Sequence, residues 1–158
     1  MNMEWAEVIN NPLLQNLPFK IELNKYGQLL MSPASNWHGS AQAQVAHAMK
    51  QKRRGGEVII ECSIQTRDGV KVADVAWASD EFMKKHGYTT PYAQAPEVCV
   101  EVRSPSNTQD EIEEKVALYL AAGAQEVWVV VEGNGITYYT YNRTMAKSKL
   151  FGTIKVKK

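Results

Sequence analysis

Asp74 interrupts the apolar run Val72-Ala-Asp-Val-Ala-Trp77, and Glu101 interrupts Val98-Cys-Val-Glu-Val102. A carboxylate buried alone in so apolar a strand is costly, so each calls for a cation, a hydrogen-bond partner or an exposed strand end. Two such carboxylates on neighbouring strands could share one hard divalent cation. Mg²⁺ takes oxygen ligands in near-octahedral geometry and needs only one or two protein carboxylates, with waters and phosphate completing the shell. Mn²⁺ could serve in the same place, and Val102, beside Glu101, could add a backbone carbonyl. The alternative is a pair of salt-bridged or rim carboxylates.

Lys115 is the next candidate. On a helical wheel it falls between Glu111 and Tyr119 in steps of four, at the edge of the stripe Ile112, Val116, Tyr119 and Leu120. Asp110, Glu113 and Glu114 occupy the outside. From that edge the ammonium could reach the end of the strand around Glu101, orienting a water or neutralising charge on a phosphorane. Alternatively it snorkels and pairs with Glu111.

The elements that must position these groups are legible. Residues 4–10 read as a short helix. Phe19–Leu23 and Gln28–Met31 flank the turn Asn24-Lys-Tyr-Gly27 and form a hairpin. Ser35 or Asn36 caps a helix from about 37 to 53, ended by Gly55-Gly56. Glu57–Ile64 and Val70–Trp77 pair around Thr66-Arg-Asp-Gly69. Ser79–His86 is a short capped helix. Glu97–Arg103 is β-branched and continuous, as expected of a strand covered on both faces. Thr108-Gln-Asp-Glu111 is a capping box for a helix to about Ala122. Glu126–Val131 is a second buried strand, and Ile136–Tyr141 and Leu150–Val156 read as later strands. The strand–helix–strand unit from 97 to 131 implies a right-handed parallel crossover, and the flanking hairpins imply a mixed sheet. The fold class is therefore α/β with antiparallel additions.

The 158 residues, 44% hydrophobic and 22% charged, suit one domain spanning 1–158 with a core of its own. Cys62 and Cys99 lie far apart in apolar runs and read as buried thiols, not as a disulfide framework or a zinc site. No apolar run reaches the roughly 20 residues that span a bilayer. The start, Met1-Asn-Met-Glu-Trp-Ala-Glu, lacks the basic and apolar regions of a signal peptide, so a cytoplasmic location is expected. The net charge of +1 conceals an asymmetry. Arg143, Lys147, Lys149, Lys155, Lys157 and Lys158 follow residue 142 with no acid among them, leaving a net −5 on the first 142 residues. Lys50, Lys52, Arg53 and Arg54 form a second basic cluster. These groups read either as a solvated tail and helix end or as contacts for a polyanion.

In order along the chain stand Glu22-Leu-Asn-Lys-Tyr-Gly-Gln-Leu-Leu-Met-Ser-Pro33, His38-Gly39, Val72-Ala-Asp-Val-Ala76, Glu101-Val-Arg-Ser-Pro-Ser106, Asp110, Lys115-Val-Ala-Leu-Tyr119 and Ala122-Gly-Ala-Gln-Glu-Val-Trp128. This ordered set, over about residues 19–140, resembles the bacterial "putative restriction endonuclease" domain family, a branch of the PD-(D/E)xK nuclease superfamily. The resemblance implies a restriction-endonuclease-like mixed β-sheet core flanked by helices, with the metal site at one sheet edge. It maps Asp74 and Glu101 onto the metal-binding acids and Lys115 onto the displaced catalytic lysine of this branch, with Tyr119 one turn on. His38 matches a position where the family carries histidine; the alternative is a capping or packing histidine. Two departures stand out. Ala73 replaces the proline before the aspartate, and Arg103 occupies the superfamily's usual lysine position. Arginine cannot deprotonate but can hold phosphate, so Arg103 reads as a phosphate clamp or a partner for Glu97. Glu61 is a candidate third acid, though an exposed strand glutamate is the plainer reading.

The function so implied is Mg²⁺-dependent hydrolysis of phosphodiester bonds in nucleic acid, DNA before RNA, with Lys52, Arg53, Arg54 and the basic tail on flanking phosphates. A homodimer is compatible with this, since double-strand cleavage needs two sites. Two other classes stay open: a nuclease fold kept as a non-cleaving binding or assembly module, and a structural domain without nucleic-acid contact.

Overall fold

The computed structural model describes residues 3–157, so Met1 and Asn2 at the start and Lys158 of the basic tail lie outside the described residues. In chain order the elements are α1 (Trp5–Asn10), β1 (Phe19–Leu23), β2 (Leu29–Pro33), α2 (Asn36–Lys52), β3 (Glu57–Thr66), β4 (Gly69–Ala78), α3 (Asp80–His86), β5 (Val98–Val102), α4 (Gln109–Ala121), β6 (Glu126–Val131), β7 (Gly135–Thr140) and β8 (Arg143–Met145). Strands β3 to β8 form one six-stranded sheet in sequence order, parallel only between β5 and β6, where α4 makes the crossover. The mixed α/β class expected from the sequence is what the chain adopts.

Strict alternation on β5 and β6 divides the core between the two faces of the sheet. Val98, Val100, Val102, Trp128 and Val130 pack against Ala41, Val45 and Met49 of α2. Cys99, Val127 and Val129 point the other way, onto Ile112, Val116 and Tyr119 of α4. Helix α2 starts where Ser35 accepts the amide of His38. Helix α4 starts with the expected capping box of Thr108 and Glu111. Both cysteines are buried and unpaired, and burial pushes the Cys62 thiol up to about 12, as expected of core thiols.

The β1–β2 hairpin stands outside the main sheet and packs on β4 through Leu23, Val70 and Val72, with Trp5 and Val8 of α1 closing the cluster. This placement brings Lys20 and Glu22 against the middle of β4. One irregularity matters there. The β3–β4 register runs from Glu57↔Ala78 to Thr66↔Gly69 with a single gap, opposite Asp74, where Glu61 takes φ 54°. Across the gap the alternation slips: Ala73 and Ala76, three residues apart, both face α4, while Val75 and Trp77 face α2. Asp74 sits at the slip.

Leu150–Val156, expected as a strand, is not one. The sheet ends in the short β8, and the chain then folds back through a Ser148↔Gly152 bridge with Gly152 at φ 70°. The apolar alternation there serves packing instead: Phe151 and Ile154 are buried in the α2-side core. The buried Glu126 carboxylate anchors the turn by accepting from Ser148 Oγ, the Lys149 amide and Trp128 Nε1. No helix among the described residues is long and apolar enough to cross a membrane.

Gly69 closes the β3–β4 turn at φ 77°, and a Cβ there would run into the backbone of Leu23 and Asn24. Gly69→Ala should therefore cost at least about 1 kcal/mol in urea unfolding, because it combines a strained backbone with separation of the β1–β2 hairpin from β4.

Candidate functional site

Asp74 and Glu101 come together because of where the β4–β5 ladder stops. Its pairs are Trp77↔Val98, Ala76↔Cys99 and Val75↔Val100, so Asp74 and Glu101 occupy the next opposed positions, just past its end. The Val102 amide, left without a ladder partner on that side, donates to Asp74 Oδ2 at 2.7 Å. His38 Nε2, from the first turn of α2, lies 3.3 Å from the same oxygen. The Tyr119 hydroxyl of α4 donates to Glu101 Oε1 at 2.6 Å. Each carboxylate thus has one oxygen fixed by the protein and one still to be matched.

The two remaining oxygens converge on one cation. Lys20 Nζ lies 3.1 Å from Asp74 Oδ1 and 3.2 Å from Glu101 Oε2, and donates also to the Val72 carbonyl at 3.1 Å. Lys115 Nζ pairs with Glu22 Oε1 at 2.8 Å and approaches Glu101 Oε2 at 3.5 Å. Glu22 Oε2 accepts the Val72 amide at 2.7 Å. Asp74 and Glu101 are 1% and 2% exposed, so this is a buried ionic cluster of three acids and two lysines.

Burial opposes ionisation throughout the cluster, but the outcome differs from group to group. At Asp74 the Lys20 charge, His38 and the Val102 amide outweigh burial and hold the carboxyl down at about 2. At Glu101 burial prevails: Lys115 and Lys20 pull its pKa down, the neighbouring Asp74 and Glu22 push it up, and the net direction is upward. Glu22 is held low against burial by Lys115, Lys20 and the Val72 amide. Burial would lower Lys20, yet Glu101, Asp74 and Glu22 raise it. Burial and the charges of Glu101 and Glu22 drive the Tyr119 hydroxyl well above its usual value, so it remains a donor.

Of the residues singled out in the sequence, the fold brings together Asp74, Glu101, Lys115, His38, Tyr119 and Val102. Lys115 does not pair with Glu111, whose carboxylate accepts the Thr108 amide at the start of α4. Val102 joins the cluster through its N–H. Arg103 lies one residue beyond, half-buried, its guanidinium donating to Gln109 Oε1 and the Asn107 carbonyl. It is not a partner of Glu97: the six residue steps from one to the other span roughly 20 Å of extended chain, and Glu97 accepts from the Ser79 amide and hydroxyl. Lys52, Arg53 and Arg54 are at the far end of α2, roughly 21 Å along the axis from His38. There Arg53 stacks over Trp77 and Phe151, while Lys52 and Arg54 are exposed. Glu61 is exposed. The sequence assigns no role to Lys20 and brings in Glu22 only as the first residue of the ordered set; the alternation in Phe19-Lys-Ile-Glu-Leu23 puts them on one face, and nothing local distinguishes that face from a solvent face.

The donor set suits a hard divalent cation. Asp74 Oδ1 and Glu101 Oε2 are oxygens from adjacent strands directed at one point, and Mg²⁺ needs no more than two protein carboxylates. No group of three or more His, Cys, Asp or Glu side chains arranged for a metal occurs among the described residues. The Lys20 ammonium stands at the convergence point. A divalent cation about 4 Å from it would meet repulsion of ~8 kcal/mol even at an effective dielectric constant of ~20, so the fit requires the ammonium to withdraw.

The family model Uma2, described as "Putative restriction endonuclease", matches residues 6–148. A solved structure, a putative nuclease belonging to DUF820 from Anabaena variabilis, aligns with a TM-score of 0.66 at 15% identity, covering 79% of this chain and 74% of that one. The likeness is one of fold. A search of curated proteins finds no match.

Two stability effects follow from this geometry. Tyr119→Phe leaves Glu101 Oε1 buried without its donor and should cost about 1–3 kcal/mol, read from the urea midpoint. Asp74 has its pKa depressed on folding, from roughly 3.9 when unfolded, so its contribution is full above pH ~4 and is lost as pH falls towards 2. The stability gap between wild type and Asp74→Asn should accordingly be widest above pH ~4 and shrink by about 2 kcal/mol below it.

Proposed function

We propose that this chain, which belongs to the Uma2 family of putative restriction endonucleases, hydrolyses phosphodiester bonds of nucleic acid, DNA in the first instance, with Mg²⁺ or Mn²⁺ held by Asp74 and Glu101. The observation that carries this reading is the convergence of two buried carboxylate oxygens on one cation position, with a second lysine 3.5 Å from one of them. A bound divalent metal supplies a water of lowered pKa and a positive charge for the scissile phosphate.

The chain's own groups have separable tasks in this reading. The Val102 amide and His38 keep Asp74 ionised and fixed in direction. Tyr119 fixes Glu101 and leaves its Oε2 facing the cluster. Lys115 holds its ammonium beside Glu101, where it can orient the attacking water or offset charge developing on the phosphate. Arg103, anchored by Gln109 and Asn107, would hold a phosphate adjacent to the cut. At 3.4 Å per nucleotide, Lys52 and Arg54 would meet backbone roughly six nucleotides away. Cutting both strands of a duplex would take two such sites, hence an isologous pair of chains. A non-cleaving binding module is the second reading, favoured by one observation: Lys20 already balances both carboxylates.

The test is a cleavage assay on labelled DNA and RNA, single- and double-stranded, with Mg²⁺ and with Mn²⁺. Wild type should cut in a metal-dependent manner, and Asp74→Ala and Glu101→Ala, each shown folded by circular dichroism, should lose at least about a hundredfold. Undiminished cutting by either variant would remove the site from consideration. Tight, salt-dependent binding of nucleic acid by wild type without any cleavage would favour the second reading.

A further inference from the structure

Lys20 is the only described side chain that bridges Asp74 and Glu101, and it does so through Asp74 Oδ1 and Glu101 Oε2, the second of which Lys115 also approaches at 3.5 Å. Oδ2 of Asp74 is committed to the Val102 amide and His38, and Oε1 of Glu101 to Tyr119. A metal bound by these acids must therefore use the oxygens that now hold the ammonium. Formal charge points the same way. Glu22, Asp74 and Glu101 against Lys20 and Lys115 leave the buried cluster at −1. Adding a divalent ion with Lys20 in place would take it to +1, whereas exchanging the ammonium for the ion leaves it neutral.

Lys20 is also placed to move. It lies on the β1–β2 hairpin, outside the six-stranded sheet, at the wall of a cleft of about 380 Å³. The cleft is lined mostly by apolar side chains, but Glu61, Ser63 and Tyr88 are also on its wall and offer oxygens to an ammonium that leaves the carboxylates.

We propose that Lys20 is a built-in counter-cation that competes with the divalent metal for Asp74 and Glu101, and that metal binding turns its ammonium out into this cleft. Lys20 is thus a positioning residue that keeps the two acids ionised and aligned and sets how tightly metal binds. The inference rests on the metal-site reading above and extends it to regulation of that site.

The experiment is calorimetric titration with MnCl₂ of wild type, Lys20→Met, Lys20→Arg and Glu101→Gln. Lys20→Met should bind Mn²⁺ at least tenfold more tightly than wild type, Lys20→Arg should stay within a few-fold of wild type, and Glu101→Gln should abolish binding. A merely structural lysine would give weaker binding on removal, not tighter. If wild type binds and Lys20→Met binds equally or less tightly, the inference is overturned while the metal site stands. If neither binds, both readings fall. Should Lys20→Met not fold, the ammonium resonance of Lys20 in ¹⁵N-labelled wild type decides: displacement at saturating Mg²⁺ supports the exchange, and an unmoved signal overturns it.

Discussion

Three carboxylates removed from water in one place demand cations, and this protein meets that demand with two lysines from separate elements. Lys20 comes from β1 and Lys115 from α4; the acids come from β1, β4 and β5. The ionic cluster therefore joins the hairpin, the sheet and the crossover helix at one point. Buried ion pairs are poor sources of net stability, because desolvation offsets most of the attraction, but removing one partner exposes the full penalty of the other. The groups consequently stand or fall together. The same arrangement separates the two central acids. Asp74, with a backbone amide and the nearer balance of positive charge, is held ionised; Glu101, with no amide and two acids beside it, is the harder to ionise. Environments that push paired titratable groups apart are a recurrent feature of sites that divide labour between them. Glu101 is where added positive charge gains most.

That division depends on a backbone irregularity. A regular β3–β4 ladder would preserve alternation along β4 and could not turn both Ala73 and Ala76 towards α4. The left-handed φ of Glu61, an uncommon conformation for a residue with a Cβ, introduces the slip. Its cost, of order 1–2 kcal/mol, is tolerated because the surrounding ladder over-determines it. Ending the β4–β5 ladder at Val75↔Val100, two pairs short of Val102, then frees the Val102 amide for the Asp74 carboxylate.

The visibility of these features in the sequence followed from how local each one is. Asp74 and Glu101 stood out because each breaks an apolar run, and the caps at Ser35 and Thr108 because their partners lie three residues away. Lys115 could be placed at a helix edge but its partner could not: Glu111 is near in sequence, yet the lysine spans to Glu22, ninety-three residues earlier. Lys20 was silent, and Glu22 had no chemical role, because a five-residue alternating strand has the same pattern whether its polar face meets water or other charges. Leu150–Val156 misled for the complementary reason, its apolar residues being spaced by the pocket they fill and not by a ladder. Arg53 looked like part of a polyanion patch; its stacking on Trp77 and Phe151 is a tertiary contact that no local spacing encodes.

Arg103 just past the strand end and Lys115 on the helix take up different surroundings that suit their different head groups. A guanidinium carries five donors in a planar fork, which suits the Gln109 and Asn107 oxygens at the rim but not the narrow space between Glu22 and Glu101. An ammonium is a compact point charge and can approach Glu22 at 2.8 Å while remaining 3.5 Å from Glu101. Reached from α4, it arrives on the face of the sheet where Glu101 and Tyr119 already are. Because Tyr119 and Lys115 are four residues apart on one helix, any shift of α4 moves the donor to Oε1 and the cation near Oε2 together. The helix thus sets both contacts of Glu101 at once, and Arg103, one residue past the strand, is held instead by Gln109 and Asn107.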